Sequence, residues 1–447
     1  MPSEPVLKKV FSWSLLLFFL IATISLLWSI QRSFLEIIIN SNEGWNAFFD
    51  DAALGKMQLY PSPNQLITNN YPPLSFYIVG SLGKMLGDTI LAGRLLSLLA
   101  IGVISFFIAQ IIKQLSLTSG KLADSFQGSL IGVTYFIGTL TIFFKWYVGA
   151  NDPQLLAQAI MIIGFFLFIK AMEQDRNYWI AIFVMVIAGF FKHNIITMPL
   201  TIMLWLVIQK KWKVFFFCSF FALSLILLGF AICLSVYGFN FYYNFTTPRT
   251  WLLFKVIHAF SDLGALSVGL LFWFAASWKF RKESSICLVT LMIFIGLIVG
   301  FIQRLGNGVF VNAQFDLVIA LSIGLGVIFT LLIRENSYLL ALGGVGAFVL
   351  FFFLEPSFLD IFSPSYHKRL AESEQIMKEH IEMVRALPGD VFCESYVAYR
   401  AGKPFAADAL NVEERMRIGR LPKDTMTRRF MQHQLREVRY IWDVGIE

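Results

Sequence analysis

The sequence is short of charge. Asp, Glu, Lys and Arg make up 15% of its 447 residues, while 57% are hydrophobic. Soluble globular chains carry about 25% charged residues, so a water-exposed globule is excluded. Cysteine is scarce too: Cys218, Cys233, Cys287 and Cys393 show no metal-ligand spacing, and three of them lie in apolar runs, where they read as small hydrophobes. Short alternating strands, the mark of a membrane barrel, are missing; the apolar runs are long and continuous. No internal repeat stands out, which counts against the duplicated layout common in secondary transporters. The first apolar run has no convincing small-residue cleavage site and reads as a retained helix rather than a signal peptide. The net charge of +7 needs no nucleic-acid partner, because much of the Lys and Arg sits in short loops between apolar runs.

What remains is a chain built for lipid. Phe alone supplies 47 residues. Lipid offers the backbone no partners, so each spanning segment must be a helix, and each helix needs roughly 20 apolar residues. Candidate spans run over 11–30, 89–112, 128–144, 154–170, 178–208, 214–237, 263–279, 286–302, 315–333 and 337–354. The run 178–208 is interrupted by Lys192-His193-Asn194, a costly cluster inside hydrocarbon. Two half-helices meeting at Lys192 near one face are cheaper, which gives about eleven spans. Segment 74–87 is too short and Gly-broken to count alone. The expected class is an all-α polytopic membrane protein.

Orientation follows from the loop cations. Lys8-Lys9, Lys113, Lys121, Lys170, Arg176, the Lys210–Lys213 cluster, Lys279, Arg281-Lys282 and Arg334 fall on one side if the N-terminus is cytoplasmic. Eleven spans then put the C-terminus outside. Composition turns polar near Ser363, so we expect a transmembrane domain over 1–362 and a small α/β appendage over 363–447. Within it, 366–386 reads as an amphipathic helix and Asp390-Val391-Phe392 as a short strand.

The polar residues that look purposeful gather on the outer face. Asp50 and Asp51 lie in the first outer loop, Asn151-Asp152-Pro153 in the second, and Lys192-His193 at the broken span. Arg249 lies in the loop 238–262, and Arg304 borders a later span. A carboxylate can take a proton from an acceptor hydroxyl. Arg can grip a phosphate with two hydrogen bonds, and Lys can hold it as a point charge. Together they suit displacement of a phosphate leaving group at a membrane surface. Simpler roles are open for each. Asp50-Asp51 could cap a helix. Asp152 before Pro153 is a complete helix start. Lys192 could snorkel, while Arg304, Arg249 and Lys255 could meet lipid headgroups. Arg94, inside a span, calls for a structural ion pair with Asp88 or an outer-loop acid.

The order Asp50-Asp51, Gly55, Leu59-Tyr60, Asn70-Tyr71-Pro72-Pro73-Leu74, Gly80, Gly87 and Arg94-Leu95-Leu96-Ser97 resembles the N-terminal signature of the GT-C membrane glycosyltransferases. It is most similar to bacterial relatives of the protein mannosyltransferases and the lipid A aminoarabinose transferases. Asn151-Asp152-Pro153 resembles their second acidic motif, Gly189-Phe190-Phe191-Lys192 their Gly-x-x-Lys, and Leu387-Pro388-Gly389-Asp390-Val391 their C-terminal piece. The resemblance implies a GT-C fold and an inverting transfer of a hexosyl or pentosyl group from a polyprenyl-phosphate donor. The acceptor is a hydroxyl of a lipid, glycan or protein at the outer face of a bacterial inner membrane. It implies Asp50 as general base, with Asp51 and Asp152 as further acids. Lys192, His193, Arg304, Arg249, Tyr71 and Asn151 are expected around the substrates. Many relatives have a charged pair where this chain has Asn70-Tyr71, so the phosphate contact must come from elsewhere. No metal-ligand constellation is evident, and a metal-independent reaction is expected. The alternatives are a secondary transporter and a non-catalytic membrane protein that binds a lipid or solute.

Overall fold

The computed structural model describes residues 3–117, 122–431 and 436–437. Lys121 and the end of the tail, both part of the sequence reading, lie outside the described residues. The chain opens with α1 (Glu4–Arg32), followed by two shorter helices, α2 (Glu43–Ala53) and α3 (Leu74–Leu86). Next come α4 (Thr89–Leu117), α5 (Leu122–Gly138), α6 (Pro153–Gln174), α7 (Tyr178–Phe191), α8 (Thr197–Ile208) and α9 (Trp212–Phe245). The series continues with α10 (Lys255–Gly264), α11 (Ser267–Ser277), α12 (Ser284–Arg304), α13 (Phe315–Arg334), α14 (Tyr338–Phe353) and α15 (Pro356–Leu359).

Local chemistry sets several of these boundaries. Asp152 caps α6 by accepting from the Gln154 N–H, and Pro153 follows at the first helical position. Gly87, at φ 75°, ends α3 in the left-handed conformation that glycine adopts freely. The break predicted inside 178–208 is present: α7 stops at Phe191, Lys192 is extended, and α8 starts at Thr197.

Each expected span coincides with a helix or a bent pair of helices. Among the described residues, seven helices are long and apolar enough to cross a membrane, and up to nine if the pairs bent by 66° (α10 with α11) and 65° (α14 with α15) each count as one. Helices α7 and α8 are shorter, at 14 and 12 residues, so the expected eleven is reached only if both also cross. The segment 74–87 is the separate short helix α3, leading into α4.

Helix α13 is the pillar of the bundle. Every residue from Phe315 to Ile333 is buried, and α4, α5, α11, α12 and α14 pack around it. Helix α9 lies at the edge, against α7 and α8, with Phe216, Phe220, Leu227 and Val236 exposed. An apolar helix open on that scale suits a hydrocarbon surrounding.

From Pro364 the chain forms a cap of one long helix, α16 (Pro364–Ala386), and three short ones, α17 (Ser395–Arg400), α18 (Ala409–Arg417) and α19 (Thr425–Met431). A parallel pair of two-residue strands, β1 (Val391–Phe392) and β2 (Arg436–Glu437), is the only sheet among the described residues. The α/β appendage expected from sequence is therefore mainly helical. The cap packs on the first loop, with Ile381, Val384, Tyr396 and Val397 forming one cluster with Ala47 and Ile90. The face that bears this loop and the cap is referred to as the outer face.

Helices α5 and α13 touch through glycine. A Cβ on Gly128 would fall 2.1 Å from Thr330 Oγ1 and 2.4 Å from the Gly326 carbonyl oxygen. Small residues that let backbones meet are the usual adhesive between helices in lipid. Gly326→Leu is expected to lower the thermal midpoint of the detergent-solubilised protein, since overpacking costs about 1–3 kcal/mol or more. Gly343→Leu, where nothing lies within 4 Å of the added carbon, is the control expected to leave it unchanged. Equal midpoints for both variants would refute the close crossing.

Candidate active site

Helix α2 turns Glu43, Asn46, Ala47 and Asp50 onto one face, at spacings of three, four and seven residues, and all four are buried. Glu43 is fully buried and meets Arg94 of α4 in a two-pronged ion pair. Arg94 Nε donates to Oε1 at 2.7 Å and Nη2 to Oε2 at 2.9 Å. The remaining guanidinium hydrogens go to the carbonyls of Ser33, Leu35 and Ile37. Glu43 also accepts the backbone N–H of Ile39 at 2.9 Å and of Asn151 at 3.1 Å. Arg94 thus has the outer-loop acid it calls for, while Asp88 pairs with Arg400 of the cap at 2.7 Å.

The same face of α2 grips Asn151. Its carbonyl accepts from Asn46 Nδ2 at 2.6 Å, and its own Nδ2 donates to Asp50 Oδ2 at 2.9 Å. From the other side Gly93 closes the space, since a Cβ there would fall 1.9 Å from Asn151 Oδ1. Burial pushes the Asp50 carboxyl well above its usual range; the Asn151 donor opposes that, and the charge of Asp51 adds to it. Asp51 faces elsewhere. It pairs with Lys56 at 2.7 Å and accepts from Thr89 Oγ1 and Tyr399 Oη, both at 3.0 Å, which ties the first loop to the cap.

One residue beyond Asn151, Asp152 Oδ1 accepts from the Gln154 N–H at 2.8 Å and from Lys192 Nζ at 3.1 Å. Asp152 Oδ2 is buried with no hydrogen-bond partner among the described residues. Lys192 Nζ also lies 4.7 Å from the centre of the Tyr71 ring. The other cations divide into two kinds. Arg304 is held by Asp262 at 2.5 Å and by the Val309 carbonyl at 2.6 Å. Among the described residues, Lys255 donates to the carbonyls of Gly306 and Val309, at 2.8 and 3.0 Å. Arg249 is half-buried, and its Nη1 atom is sealed from water without a hydrogen-bond partner among the described residues.

Two cavities meet this network. The more polar one, of about 730 Å³, opens between the first loop, the loops bearing Arg249 and Asn307, and the cap. An apolar one of about 440 Å³ lies among α6, α7, α8 and α9, with Met161, Ile182, Phe190 and Phe230 in its wall. The two approach each other at consecutive residues: Tyr71 lines the polar cavity and Pro72 the apolar one. His193 also lines the apolar cavity, its ring 5.2 Å from that of Phe245. Of the residues singled out in the sequence, Tyr71 and Arg249 line the polar cavity and His193 the apolar one. Asp50, Asp51, Asn151, Asp152, Lys192 and Arg304 line neither.

Sequence reasoning missed Glu43, the acid that organises the loop, and the cap residues Glu394 and Asp408 in the polar cavity wall. The signal for Glu43 was available: an acid sharing one helical face with Asn46 and Asp50, near an Arg94 that needed a partner. Nothing comparable marks Glu394 or Asp408.

Glu43→Gln leaves Arg94 buried beside a neutral amide. A midpoint loss equivalent to roughly 3–5 kcal/mol is expected for breaking such a pair. The double variant Glu43→Gln with Arg94→Met should recover part of it, because no charge is then stranded. A Glu43→Gln midpoint matching the parent protein would show that the pair contributes little.

No family model and no curated protein matches the chain. Solved structures do. The apo state of ArnT from Cupriavidus metallidurans matches with a TM-score of 0.61 at 11% identity, over 93% of this chain and 90% of that one. The same protein bound to undecaprenyl phosphate matches with a TM-score of 0.57 at 10% identity, over 96% and 92%. At such identities the likeness speaks for architecture, and it spans nearly both whole chains. The chain therefore has an ArnT-like fold.

Proposed function

We propose that this protein is a membrane glycosyltransferase that moves a sugar from a polyprenyl-phosphate donor to a hydroxyl acceptor at the outer face. The observation that carries this reading is the meeting of an apolar slot and a more polar cavity at Tyr71-Pro72, beside Arg249, which makes no direct ion pair among the described residues. A polyprenyl tail suits the slot among α6, α7, α8 and α9, and a phosphate at its end suits Arg249 and Lys255. That the ArnT structure with undecaprenyl phosphate shares this fold supports the same donor class.

Charge decides which cations can serve. Lys192 and Arg304 are already matched by Asp152 and Asp262, and a phosphate there would have to compete with a carboxylate. Arg249 and Lys255 have no such partner among the described residues. A free guanidinium holds phosphate through charge-assisted hydrogen bonds, which are stronger than neutral ones. We therefore assign the departing phosphate to Arg249, with Lys255 beside it, and give Lys192 and Arg304 positioning roles.

Among the acids, Asp152 keeps one oxygen unpartnered among the described residues; it lines neither cavity, so its action as base requires that acceptor binding open the wall to it. Oδ1 is fixed by Lys192 and the helix start, while Oδ2 is unpartnered. In the proposed step the acceptor oxygen attacks the anomeric carbon on the face opposite the phosphate. Its proton passes to Asp152 Oδ2, and the carbon–oxygen bond to phosphate breaks with its electron pair on the phosphate. The configuration at the anomeric carbon inverts. Asp50 acts through Asn151, whose side chain it holds, and so positions Asp152. Asp51 ties the loop to the cap. The N-terminus is then cytoplasmic and the cap lies in the periplasm.

The test is transfer from labelled sugars on short-chain polyprenyl phosphate, followed as release of free polyprenyl phosphate. Asp152→Asn keeps the helix start and is expected to lower kcat by about 10²-fold or more, the range of general-base catalysis. Asp50→Asn should cost less, since an amide can still pair with Asn151. Arg249→Ala should raise the donor KM by roughly ten- to a hundredfold, matching the ~1.5–3 kcal/mol of a charged hydrogen bond, with Arg249→Lys between. Full release by Asp152→Asn would remove it as the base. Binding of a lipid or solute without release from any donor would favour a transporter or a non-catalytic binder.

A further inference from the structure

A third cavity, of about 720 Å³, opens at the outer end of the bundle. The loop before α13 divides it from the one that holds Arg249: Phe310 lines that cavity and Val311 lines this one. Three outer ends of helices meet around it. The first follows α5, where the chain passes through a π-helical turn, Thr139–Phe143, into Phe144-Lys145-Trp146. The others are the bends between α10 and α11 and between α14 and α15, of 66° and 65°, beside which Asp262 and Glu355 lie. π-Helical turns are rare and gather at functional sites.

The charges in this wall are balanced but not all paired. Asp262 is taken by Arg304 at 2.5 Å. Lys145 and Glu355 remain, both half-buried. Among the described residues neither side chain closes an ion pair, although each senses the other's charge, and Lys145 senses Arg32 and Asp360 as well. Burial pushes the Lys145 ammonium below its usual range, with Arg32 adding to that and Asp360 and Glu355 opposing it. The ammonium lies 5.1 Å from the centre of the Trp146 ring. Elsewhere at this end cations near an acid have closed on it, as Arg94 has on Glu43 and Arg400 on Asp88. Lys145 and Glu355 stand apart, a separation that a ligand carrying both signs would bridge.

The rest of the wall is aromatic and apolar. Phe143 stacks on Phe351 with ring centres 5.1 Å apart, and Ile142 and Phe144 lie beside them. Along the same helix as Phe351, Leu350 and Leu354 are exposed, which offers hydrocarbon a surface next to the cavity. Trp146 stands where aromatic residues mark the boundary between membrane and water.

We propose that this cavity binds a zwitterionic phospholipid of the ethanolamine type, its phosphate on Lys145, its ammonium on Glu355 and its tails along α14. Both contacts are charge-assisted hydrogen bonds, the stronger kind. An anionic headgroup would satisfy Lys145 and set a like charge before Glu355; an uncharged one would satisfy neither. Asp152, Lys192 and Arg249 do not line this cavity, so the site is separate from the one assigned to transfer and does not depend on that reading.

The experiment titrates the full-length protein, in neutral detergent, with dioleoyl phosphatidylethanolamine, dioleoyl phosphatidylglycerol and soluble glycerophosphoethanolamine. Bound molecules are counted by native mass spectrometry. One copy of the ethanolamine lipid is expected, held at least about tenfold tighter than either other probe, as a charged hydrogen bond allows. Glu355→Gln should abolish the preference between the two lipids, and Glu355→Lys should reverse it. Lys145→Gln should weaken the ethanolamine lipid by about tenfold or more. Arg249→Ala, in the other cavity, should bind it as the parent does. Thermal midpoints without added lipid separate misfolding from lost binding. Equal retention of the two lipids by the parent overturns the headgroup assignment. Parent-like binding by well-folded Glu355→Lys and Lys145→Gln overturns the site, and loss of binding in Arg249→Ala moves the lipid to the other cavity. Soluble glycerophosphoethanolamine bound as tightly as the lipid overturns the role of the tails.

Discussion

The outer end of the molecule hangs on one buried ion pair. Glu43 and Arg94 come from different helices, and both are removed from water, a condition that only matched geometry and full hydrogen bonding can make tolerable. Both requirements are met: the two-pronged contact uses two of the guanidinium nitrogens, and three loop carbonyls take the remaining donors. The same carboxylate receives the N–H groups of Ile39 and Asn151, so one side chain fixes the exit of α1, the start of α2 and the loop before α6. A neutral residue could fill the space but could not collect those donors. The arrangement specifies geometry more than it adds stability.

Neutralisation then sorts the remaining charges. Each buried cation held by a carboxylate is set in place: Arg94 by Glu43, Lys192 by Asp152, Arg304 by Asp262. Arg249 and Lys255 lie outside that scheme, and both face the polar cavity. Cations in a cavity wall that make no direct ion pair among the described residues suit an anion. The apolar slot lies alongside, and in the proposed function it is the meeting of the two at Tyr71-Pro72 that favours a lipid phosphate.

The bundle was legible because its signals are local. A continuous apolar run declares its own helix, and Lys192 inside such a run declares its own break. Asp152-Pro153 is a helix start in two residues. The site was legible only in its ingredients. Asp50 and Asp51 draw attention as a pair, yet they face different neighbours, Asn151 for one and Lys56, Thr89 and Tyr399 for the other. Glu43 is a single acid in a loop whose meaning depends on a residue 51 positions away. Paired charges far apart in sequence leave no periodicity to read. The strand expected at Asp390-Val391-Phe392 survives as a two-residue pairing, and the rest of the cap turned out mainly helical because its partners are helices and loops rather than a sheet.

The cap shows the same limit from another side. Composition changes at Ser363, but packing does not. Ile381 and Val397 share a cluster with Ala47 and Ile90, and Val412 shares one with Leu66. Half-exposed pairs such as Asp88–Arg400 contribute little by themselves, so these shared apolar clusters dominate the docking. Glu414 adds orientation by accepting from the backbone and hydroxyl of Thr250 and from Asn307, next to Arg249 and in the cavity wall. Arg415 does the same through the carbonyls of Pro63 and Gln65 in the first loop. The segment that looks detachable by composition therefore closes the cavity and holds in register the loops that line it. A change of polarity along a chain marks where the solvent changes, and here the site is built across that line.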